Sequence, residues 1–190
     1  MSSRTKLSTM NNSTDDVTLY AMFVSDILAV YKDKQDIAEP IFKMAEPYDL
    51  SNPLNLVPIE LYNNICEWIE NNLGPANLKV IGSRIGEKIY DMLLEMKIIH
   101  ENSTPEEVIR ALVHATQIMI QDPLKRGWEI LEVKKNSIRL RRTQTFNGIL
   151  QLGLLRTLVQ KTGCLLVNVE YIKRVSEGDE FDEYLISWKN

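Results

Sequence analysis

The chain contains little cysteine and little histidine, which limits the chemistry it can perform. Its two cysteines, Cys66 and Cys164, lie far apart without a Cys-x-x-Cys spacing, which excludes a thiolate metal site and argues against a disulfide framework. Its two histidines, His100 and His114, have no His-x-x-x-His or His/Glu helical partner. This composition predicts a reducing compartment, the cytoplasm, with no resident metal and no other cofactor.

Long hydrophobic runs and catalytic motifs are also missing. The polar start, Met1 to Asn12, lacks the apolar segment of a secretory signal, and runs such as Leu165 to Val167 are far too short to span a bilayer. We therefore expect a flexible tail over residues 1–13 and no transmembrane segment. No serine lies in a Gly-x-Ser-x-Gly elbow, and the glycines of Gly82 to Gly86 are too close together for a phosphate loop. The sequence predicts that the protein is not an enzyme, because an enzyme needs a convergent polar cleft that no motif here indicates.

Residues 14–190 have the composition of one globular domain. A chain of 190 residues with 44% hydrophobic side chains can form one substantial core but not two. Helical periodicity and capping signals predict four helices in the first two thirds of the chain. The first helix begins at Ser13 or Thr14 and runs to about Tyr31, and the second lies between Pro58 and Gly74. The third begins at Pro75, and the fourth opens with a capping box from Thr104 to Glu107.

From Trp128 the apolar period changes from helical to alternating, which indicates strands. Two hairpins are predicted, joined by one helix from Phe146 to Lys161. Their strands are Trp128–Val133 with Ile138–Leu140, and Cys164–Lys173 with Phe181–Trp188. The predicted fold class is α+β, with N-terminal helices packed on a four-stranded antiparallel sheet of β-β-α-β-β order.

Two further features are interpreted as structural. Gly82 and Gly86 lie four residues apart in an amphipathic helix, a spacing that lets a second helix approach closely. A ligand packed against this bare backbone is the alternative. His114 lies on the flank of an apolar stripe, so we expect a partly buried structural histidine, with a ligand or sensor role as the alternative.

Charge is distributed unevenly along the chain. The segment Val133 to Val169 carries seven basic residues and no acidic one, although the whole chain has a net charge of −4. The hairpin residues Lys134, Lys135, Arg139 and Arg141 are therefore candidates for contacting an anion or an acidic partner, and a solvated strand edge is the alternative. Sequence-specific nucleic-acid binding is not expected, because no recognition helix or aromatic platform accompanies the basic residues.

The order of helices followed by hairpin, helix and hairpin resembles the heme nitric-oxide-binding, vinyl-reductase-like and transport-protein-particle superfamily. The resemblance extends from Leu56 to Lys189. It is carried by the segments Pro58 to Trp68 and Gly82 to Gly86, by Asp122-Pro123 with Trp128, by the helix Gly148 to Thr162, and by the ending Tyr184-Leu185-Ile186-Ser187-Trp188.

This resemblance implies a sensor or scaffold fold that holds a small hydrophobic ligand between helices and sheet, or that presents a dimer surface. The chain departs from the superfamily at two points. Heme-binding members carry a proximal histidine with a Tyr-x-Ser-x-Arg clamp, which is absent here, so His114 does not inherit an iron-ligand role. Vinyl-reductase-like members often carry cysteines near the last strands, where this chain has Lys173 and Asp182.

These observations lead to two hypotheses for function. The first is a heme-free regulatory or sensory domain that binds a small hydrophobic ligand and signals to a protein partner. Its expected pocket residues are Trp128, Ile149, Leu152, Tyr171 and Trp188, which could instead be core. The second hypothesis is a ligand-free scaffold that homodimerises through an exposed apolar helix face.

Overall fold

The computed structural model describes residues 13–143 and 146–189. Within these ranges the chain forms six α-helices and seven β-strands. The helices are α1 (Met22–Val30), α2 (Gln35–Ala45), α3 (Ile59–Leu73), α4 (Pro75–Glu95), α5 (Pro105–Met119) and α6 (Gly148–Gln160). The strands are β1 (Thr18–Tyr20), β2 (Leu56–Pro58), β3 (Ile120–Gln121), β4 (Trp128–Lys134), β5 (Ser137–Arg142), β6 (Leu165–Lys173) and β7 (Asp182–Lys189). The predicted flexible tail lies outside the described residues except for Ser13.

Local signals place the ends of three helices where the sequence predicted them. Gly74, with a φ of 88°, separates α3 from α4, and Pro75 begins α4. Before α5, the hydroxyl of Thr104 accepts a hydrogen bond from the Glu107 amide at 3.3 Å, and the Glu107 carboxylate accepts one from the Thr104 amide at 2.7 Å. This reciprocal pair confirms the predicted capping box.

The prediction of a helix from Ser13 or Thr14 is wrong. The chain first forms strand β1, and helix α1 begins only at Met22. Strand β1 lies between β2 and β3 in a small antiparallel sheet, in which Leu19 is paired with both Val57 and Ile120. These pairings bury Leu19 almost completely, so long-range sheet formation overrides the local helix signal.

The second sheet has four antiparallel strands in the spatial order β4-β5-β7-β6. Its inner face is built from alternate residues such as Ile138 and Leu140 on β5 and Tyr184 and Ile186 on β7, all of which are buried. Helix α6 follows β5 in the chain and contacts both α4 and the strands β6 and β7. The α+β class and the four-stranded antiparallel sheet are therefore confirmed.

Helices α4 and α6 touch backbone to backbone through their glycines. A Cβ atom added to Gly82 would lie 2.0 Å from the carbonyl oxygen of Leu150, and one added to Gly153 would lie 2.0 Å from that of Lys79. This confirms the close helix approach predicted from Gly82 and Gly86. Among the described residues, no helix combines the length and the apolar character needed to cross a membrane.

Candidate functional site, a groove at the start of helix α6

A groove of about 520 Å³ opens where α6 begins, and we call it the α6 groove. Helix α3 forms one wall, the chain entering α6 forms the floor, and the connection from β6 to β7 forms the other wall. The lining residues are Asn63, Glu67, Glu70, Arg142, Thr143, Phe146, Asn147, Gly148, Ile149, Tyr171, Arg174, Val175, Ser176, Glu180, Phe181 and Asp182. The groove therefore combines aromatic rings with charged side chains, a mixture suited to binding a small molecule.

A buried ion pair lies at the base of the groove. The Arg142 guanidinium donates hydrogen bonds to the Asp182 carboxylate and to the carbonyl oxygen of Phe146. The other carboxylate oxygen of Asp182 accepts a hydrogen bond from the Val175 amide at 2.9 Å. Both charged residues are more than nine-tenths buried, so removal of either one would leave the other without its compensating charge.

The start of α6 is pressed against this ion pair. A Cβ atom on Gly148 would lie 2.2 Å from the Tyr171 hydroxyl oxygen and 3.1 Å from a carboxylate oxygen of Asp182. The side chain of Asn147 caps the helix by accepting a hydrogen bond from the Leu150 amide at 3.1 Å. Only glycine leaves room here for the helix N-terminus to approach Asp182, whose negative charge complements the helix dipole.

Three aromatic side chains continue from the groove into the core. The ring centroids of Tyr171 and Tyr184 are 4.8 Å apart, and those of Tyr184 and Trp128 are 5.6 Å apart. Burial is the largest influence on both tyrosine hydroxyls and raises the pKa of each. The hydroxyls therefore stay protonated at neutral pH and are hydrogen-bond donors rather than bases.

The remaining charges of the groove are mainly negative. Four carboxylates and two guanidiniums line it, and Arg142 with Asp182 is already a pair. The second guanidinium, of Arg174, lies 3.0 Å from a carboxylate oxygen of Glu177, which is not a lining residue. In the described part of the chain, Glu67, Glu70 and Glu180 form no ion pair, although Glu70 accepts a hydrogen bond from the side-chain amide of Asn147 at 2.7 Å.

The five pocket residues predicted from the sequence do not line one cavity. Ile149 and Tyr171 line the α6 groove, whereas Trp128 lines a separate inner cavity between the helices and the sheet. Leu152 is half-buried against the core, and Trp188 is buried within it. Alternation along β7 directs Trp188 to the inner sheet face, and it is not a lining residue of the α6 groove. A ligand-binding role for the individual residues stays a prediction.

The inner cavity is small. Its volume is about 30 Å³, room for one or two water molecules (~15 Å³ each by this measure). Its walls are apolar apart from a few polar side chains. The residues are Leu19, Phe23, Tyr62, Ile85, Ile89, Leu112, Thr116, Ile120, Trp128, Phe146, Gln151 and Leu154. Side chains thus fill most of the space in which the sequence predicted a hydrophobic ligand.

The basic hairpin is largely neutralised by carboxylates on its own strands and on β7. Arg139 and Arg141 both lie beside the buried carboxylate of Glu183 on β7, and Lys134 lies 2.9 Å from a carboxylate oxygen of Glu132 on β4. Burial acts to raise the pKa of Glu183, but hydrogen bonds from Arg139 and Lys173 outweigh it and lower the pKa. The exposed Lys135 lies in the turn. Binding of an anion or an acidic partner by these four basic residues stays a prediction.

The histidines are placed away from both cavities. His114 is exposed, so its predicted partial burial is wrong, because the apolar stripe of α5 turns its flank toward solvent at this residue. His100 is also exposed. Within residues 13–143 and 146–189, no three His, Cys, Asp or Glu side chains are arranged to hold a metal ion.

Sequence reasoning missed the residues that define the groove. Arg142 and Asp182 are partners in the β5–β7 register, and both occupy inward-facing positions of strands whose other inward residues are apolar. Two opposite charges at matching inward positions were a usable signal. The contribution of α3, with Glu67 and Glu70, had no local signal, because these residues lie on the exposed side of an ordinary amphipathic helix.

Comparison with solved structures defines the fold as that of H-NOX domains. The chain is similar to the Fe(II) unliganded H-NOX protein of K. algicida, with 13% sequence identity, a TM-score of 0.65, and coverage of 90% of this chain and 97% of that chain. It is also similar to the oxygen complex of an oxygen-binding H-NOX domain related to soluble guanylate cyclases, with 12% identity, a TM-score of 0.60, and coverage of 89% and 92%. The resemblance predicted from the sequence is thereby confirmed at the level of the fold.

A third similar structure comes from the trafficking branch of the predicted resemblance. It is a trafficking protein particle complex subunit 3 from Naegleria fowleri covalently bound to palmitic acid, with 11% identity, a TM-score of 0.51, and coverage of 68% of this chain and 91% of that chain. No protein-family model and no curated protein matches this chain by sequence.

The residues that line the inner cavity do not fit a heme group. Heme iron is held by a histidine, cysteine, methionine or tyrosine side chain. Of the side chains around the inner cavity, only Tyr62 belongs to these types, and burial raises its pKa well above the ordinary value, which opposes the phenolate form that binds iron. The cavity is also far below the several hundred Å³ of a typical cofactor site (~300–1,000 Å³).

Proposed function

We propose that this chain is a heme-free regulatory domain of H-NOX-like fold, which binds a small ligand in the α6 groove and signals its occupancy to a protein partner. The observation that carries the proposal is the contrast between the two cavities. The α6 groove has about 520 Å³, within the range of small-molecule sites (~300–1,000 Å³), whereas the inner cavity has about 30 Å³.

The position of the groove favours a regulatory role. Phe146 and Asn147 lead into α6 and Ile149 lies in its first turn. All three line the groove, so a ligand there contacts the end of a helix that crosses the core. Helix α6 touches α4 backbone to backbone at Gly82 and at Gly153, where no side chain lies between the two helices. We therefore expect movement of α6 to displace α4 as well.

No catalytic role is included in the proposal. The Tyr171 and Tyr184 hydroxyls have raised pKa values, and both histidines are exposed and neither one lines the groove. The Tyr171 hydroxyl, which belongs to the groove lining, is suited to donating a hydrogen bond to a ligand rather than to activating a nucleophile or accepting a proton. A cytoplasmic location is part of the proposal, because Cys66 and Cys164 are not joined in a disulfide.

Native mass spectrometry of the full chain, purified from its own cell type, tests the proposal. We expect an added mass that disappears on denaturation. Ser176→Trp places a large ring in the groove from an exposed position and should abolish the added mass. Asn71→Trp, an exposed change on α3 outside the groove, should retain it. An added mass that both variants retain equally would show that the ligand binds elsewhere.

A homodimeric scaffold is the second candidate, and one observation favours it. Leu165 and Leu166 are 64% and 74% exposed at the start of β6, an edge strand of the four-stranded sheet. Exposed apolar residues on a strand edge favour association. Sedimentation of the chain and of a Leu165→Asp/Leu166→Asp variant tests this candidate, which requires a dimer that the double variant loses.

A further inference from the structure

The α6 groove already contains its own anion at the start of α6. A helix N-terminus attracts negative charge, and Arg142 adds a positive charge beside it. The Asp182 carboxylate occupies this position, since it accepts a hydrogen bond from Arg142 and lies 3.1 Å from the ideal Cβ position of Gly148. An anionic ligand would have to displace a buried carboxylate that is also bonded to the Val175 amide.

The charges left over are negative. After the Arg142–Asp182 and Arg174–Glu177 pairs are matched, the groove retains the carboxylates of Glu67, Glu70 and Glu180. Glu67 and Glu70 come from α3, while Glu180 comes from the opposite wall beside β7. The potential between these walls therefore favours a positive ligand.

Two aromatic rings of the groove already lie against guanidiniums of the protein. The Arg174 guanidinium lies 4.3 Å from the ring centroid of Tyr171, and that of Arg141 lies 5.0 Å from the centroid of Phe181. The rings thus already attract the protein's own cations through their faces. Phe146 adds a third ring, which meets Tyr62 edge-on at 5.6 Å.

From this arrangement we infer that the α6 groove selects a small organic cation, such as a polyamine or a quaternary ammonium compound. This inference rests on the proposed ligand-binding function and adds the chemical class of the ligand. A metal ion fits less well, because no three of the described carboxylates are grouped closely enough to hold one. An extended cation would instead direct its positive groups toward the acidic walls and lay its hydrocarbon body against the ring of Phe146.

Amide chemical shifts of the isotopically labelled full chain, recorded by NMR during titrations, test the inference. The cationic probes are spermidine and choline, the neutral probe is 1,4-butanediol, and the anionic probe is glutarate. We expect the cations to shift the amides of Asn147, Gly148, Ile149 and Phe181 with saturation, and the affinity to fall as salt is raised. The neutral and anionic probes should leave these amides unchanged.

Charge-neutralising variants make the test specific. Glu67→Gln and Glu180→Gln are exposed changes, and each should weaken cation binding by about two- to fivefold, the effect of one exposed charge pair. The double variant should weaken it by about four- to twenty-fivefold, since the two walls act independently. Glu101→Gln makes the same charge change in an exposed turn outside the groove and should alter affinity by less than about 1.5-fold.

Each other outcome overturns a defined part of the argument. If glutarate or butanediol shifts the groove amides and the cations do not, the cation preference is wrong while ligand binding in the groove stands. If Glu101→Gln weakens cation binding as much as Glu67→Gln, the cations respond only to net charge and the inference fails. If no probe and no copurified compound shifts the groove amides, both the inference and the proposed function fail.

Discussion

Replacing Gly82 with alanine tests the contact on which transmission from α6 to α4 depends. The new Cβ would lie 2.0 Å from the Leu150 carbonyl oxygen, about 1.4 Å inside the 3.4 Å at which ordinary contact begins. The obstacle is backbone rather than a flexible side chain, so the two helices must separate. Overpacking of this kind costs up to about 3 kcal/mol, and the higher helix propensity of alanine recovers about 1 kcal/mol.

The expected net loss is therefore about 2 kcal/mol in the free energy of unfolding, with a decrease in Tm of about 4–8 °C for a chain of this length. Urea denaturation followed by tryptophan fluorescence measures it, since the chain has three tryptophans. Gly127→Ala is the matched control, because its nearest contact would be a side-chain carbon of Gln117 at 3.9 Å. We expect this control to change stability by less than about 0.5 kcal/mol.

The partner helix provides an internal check on the same reasoning. In Gly153→Ala the new Cβ would lie 2.0 Å from the Lys79 carbonyl oxygen, so this variant should lose a similar free energy of unfolding. Because one separation of α4 from α6 relieves both clashes, the Gly82→Ala/Gly153→Ala variant should lose less than the sum of the single losses. Wild-type stability in Gly82→Ala, or strict additivity in the double variant, would refute the backbone contact.

Three further predictions concern the ion pairs and a helix cap. Asp182→Asn should lower the free energy of unfolding, measured by urea denaturation, by about 3–5 kcal/mol, because Arg142 stays buried and charged. The double variant Arg142→Met/Asp182→Leu should recover much of this loss. A loss below about 1 kcal/mol in Asp182→Asn would contradict the buried pair. Because the pKa of Glu183 is lowered in the fold, its contribution to stability is present above its ordinary value of 4.5 and is lost as the pH falls below it. Unfolding measured from pH 7 to pH 3 should thus show a smaller acid loss in Glu183→Gln, and equal curves would exclude this origin. Thr104→Ala removes the capping box and should lower the Tm by about 2–4 °C, whereas an unchanged Tm would mean that the cap contributes nothing.

The parts of the fold that the sequence predicts are those with local causes. Gly74 and Pro75 fix a helix boundary through their own backbone preferences, and Thr104 with Glu107 satisfies the amides of its own helix. Strand β1 could not be recognised in this way. Its pairing with Val57 and Ile120 joins segments about 40 and 100 residues away, and three residues are too few to show alternation.

The candidate site was less predictable than the fold for a related reason. The sequence places Ile149 and Tyr171 in a pocket, and both line the α6 groove, but Trp128 and Trp188 were included because aromatic residues are common in pockets and in cores alike. The acidic wall from Glu67 and Glu70 meets Glu180 only through tertiary packing. The basic segment contains no acidic residue of its own, but the sheet places Glu183 directly beside it.

Phe146 separates the α6 groove from the inner cavity, since it lines both of them. Phe146→Ala should join the two spaces and give an apolar compound access to the region where the sequence predicted a hydrophobic ligand. Removal of this half-buried ring should lower the free energy of unfolding by about 2 kcal/mol, less than removal of a fully buried phenylalanine ring. Benzene should then raise the Tm of Phe146→Ala but not that of the wild type, because dry apolar cavities bind it.

Phe42→Ala removes the same atoms from α2, which contributes to neither cavity, and should show no such rise. A rise of equal size in the wild type would mean that the inner space is open without this change, and that the ring of Phe146 is not what keeps a hydrophobic ligand out.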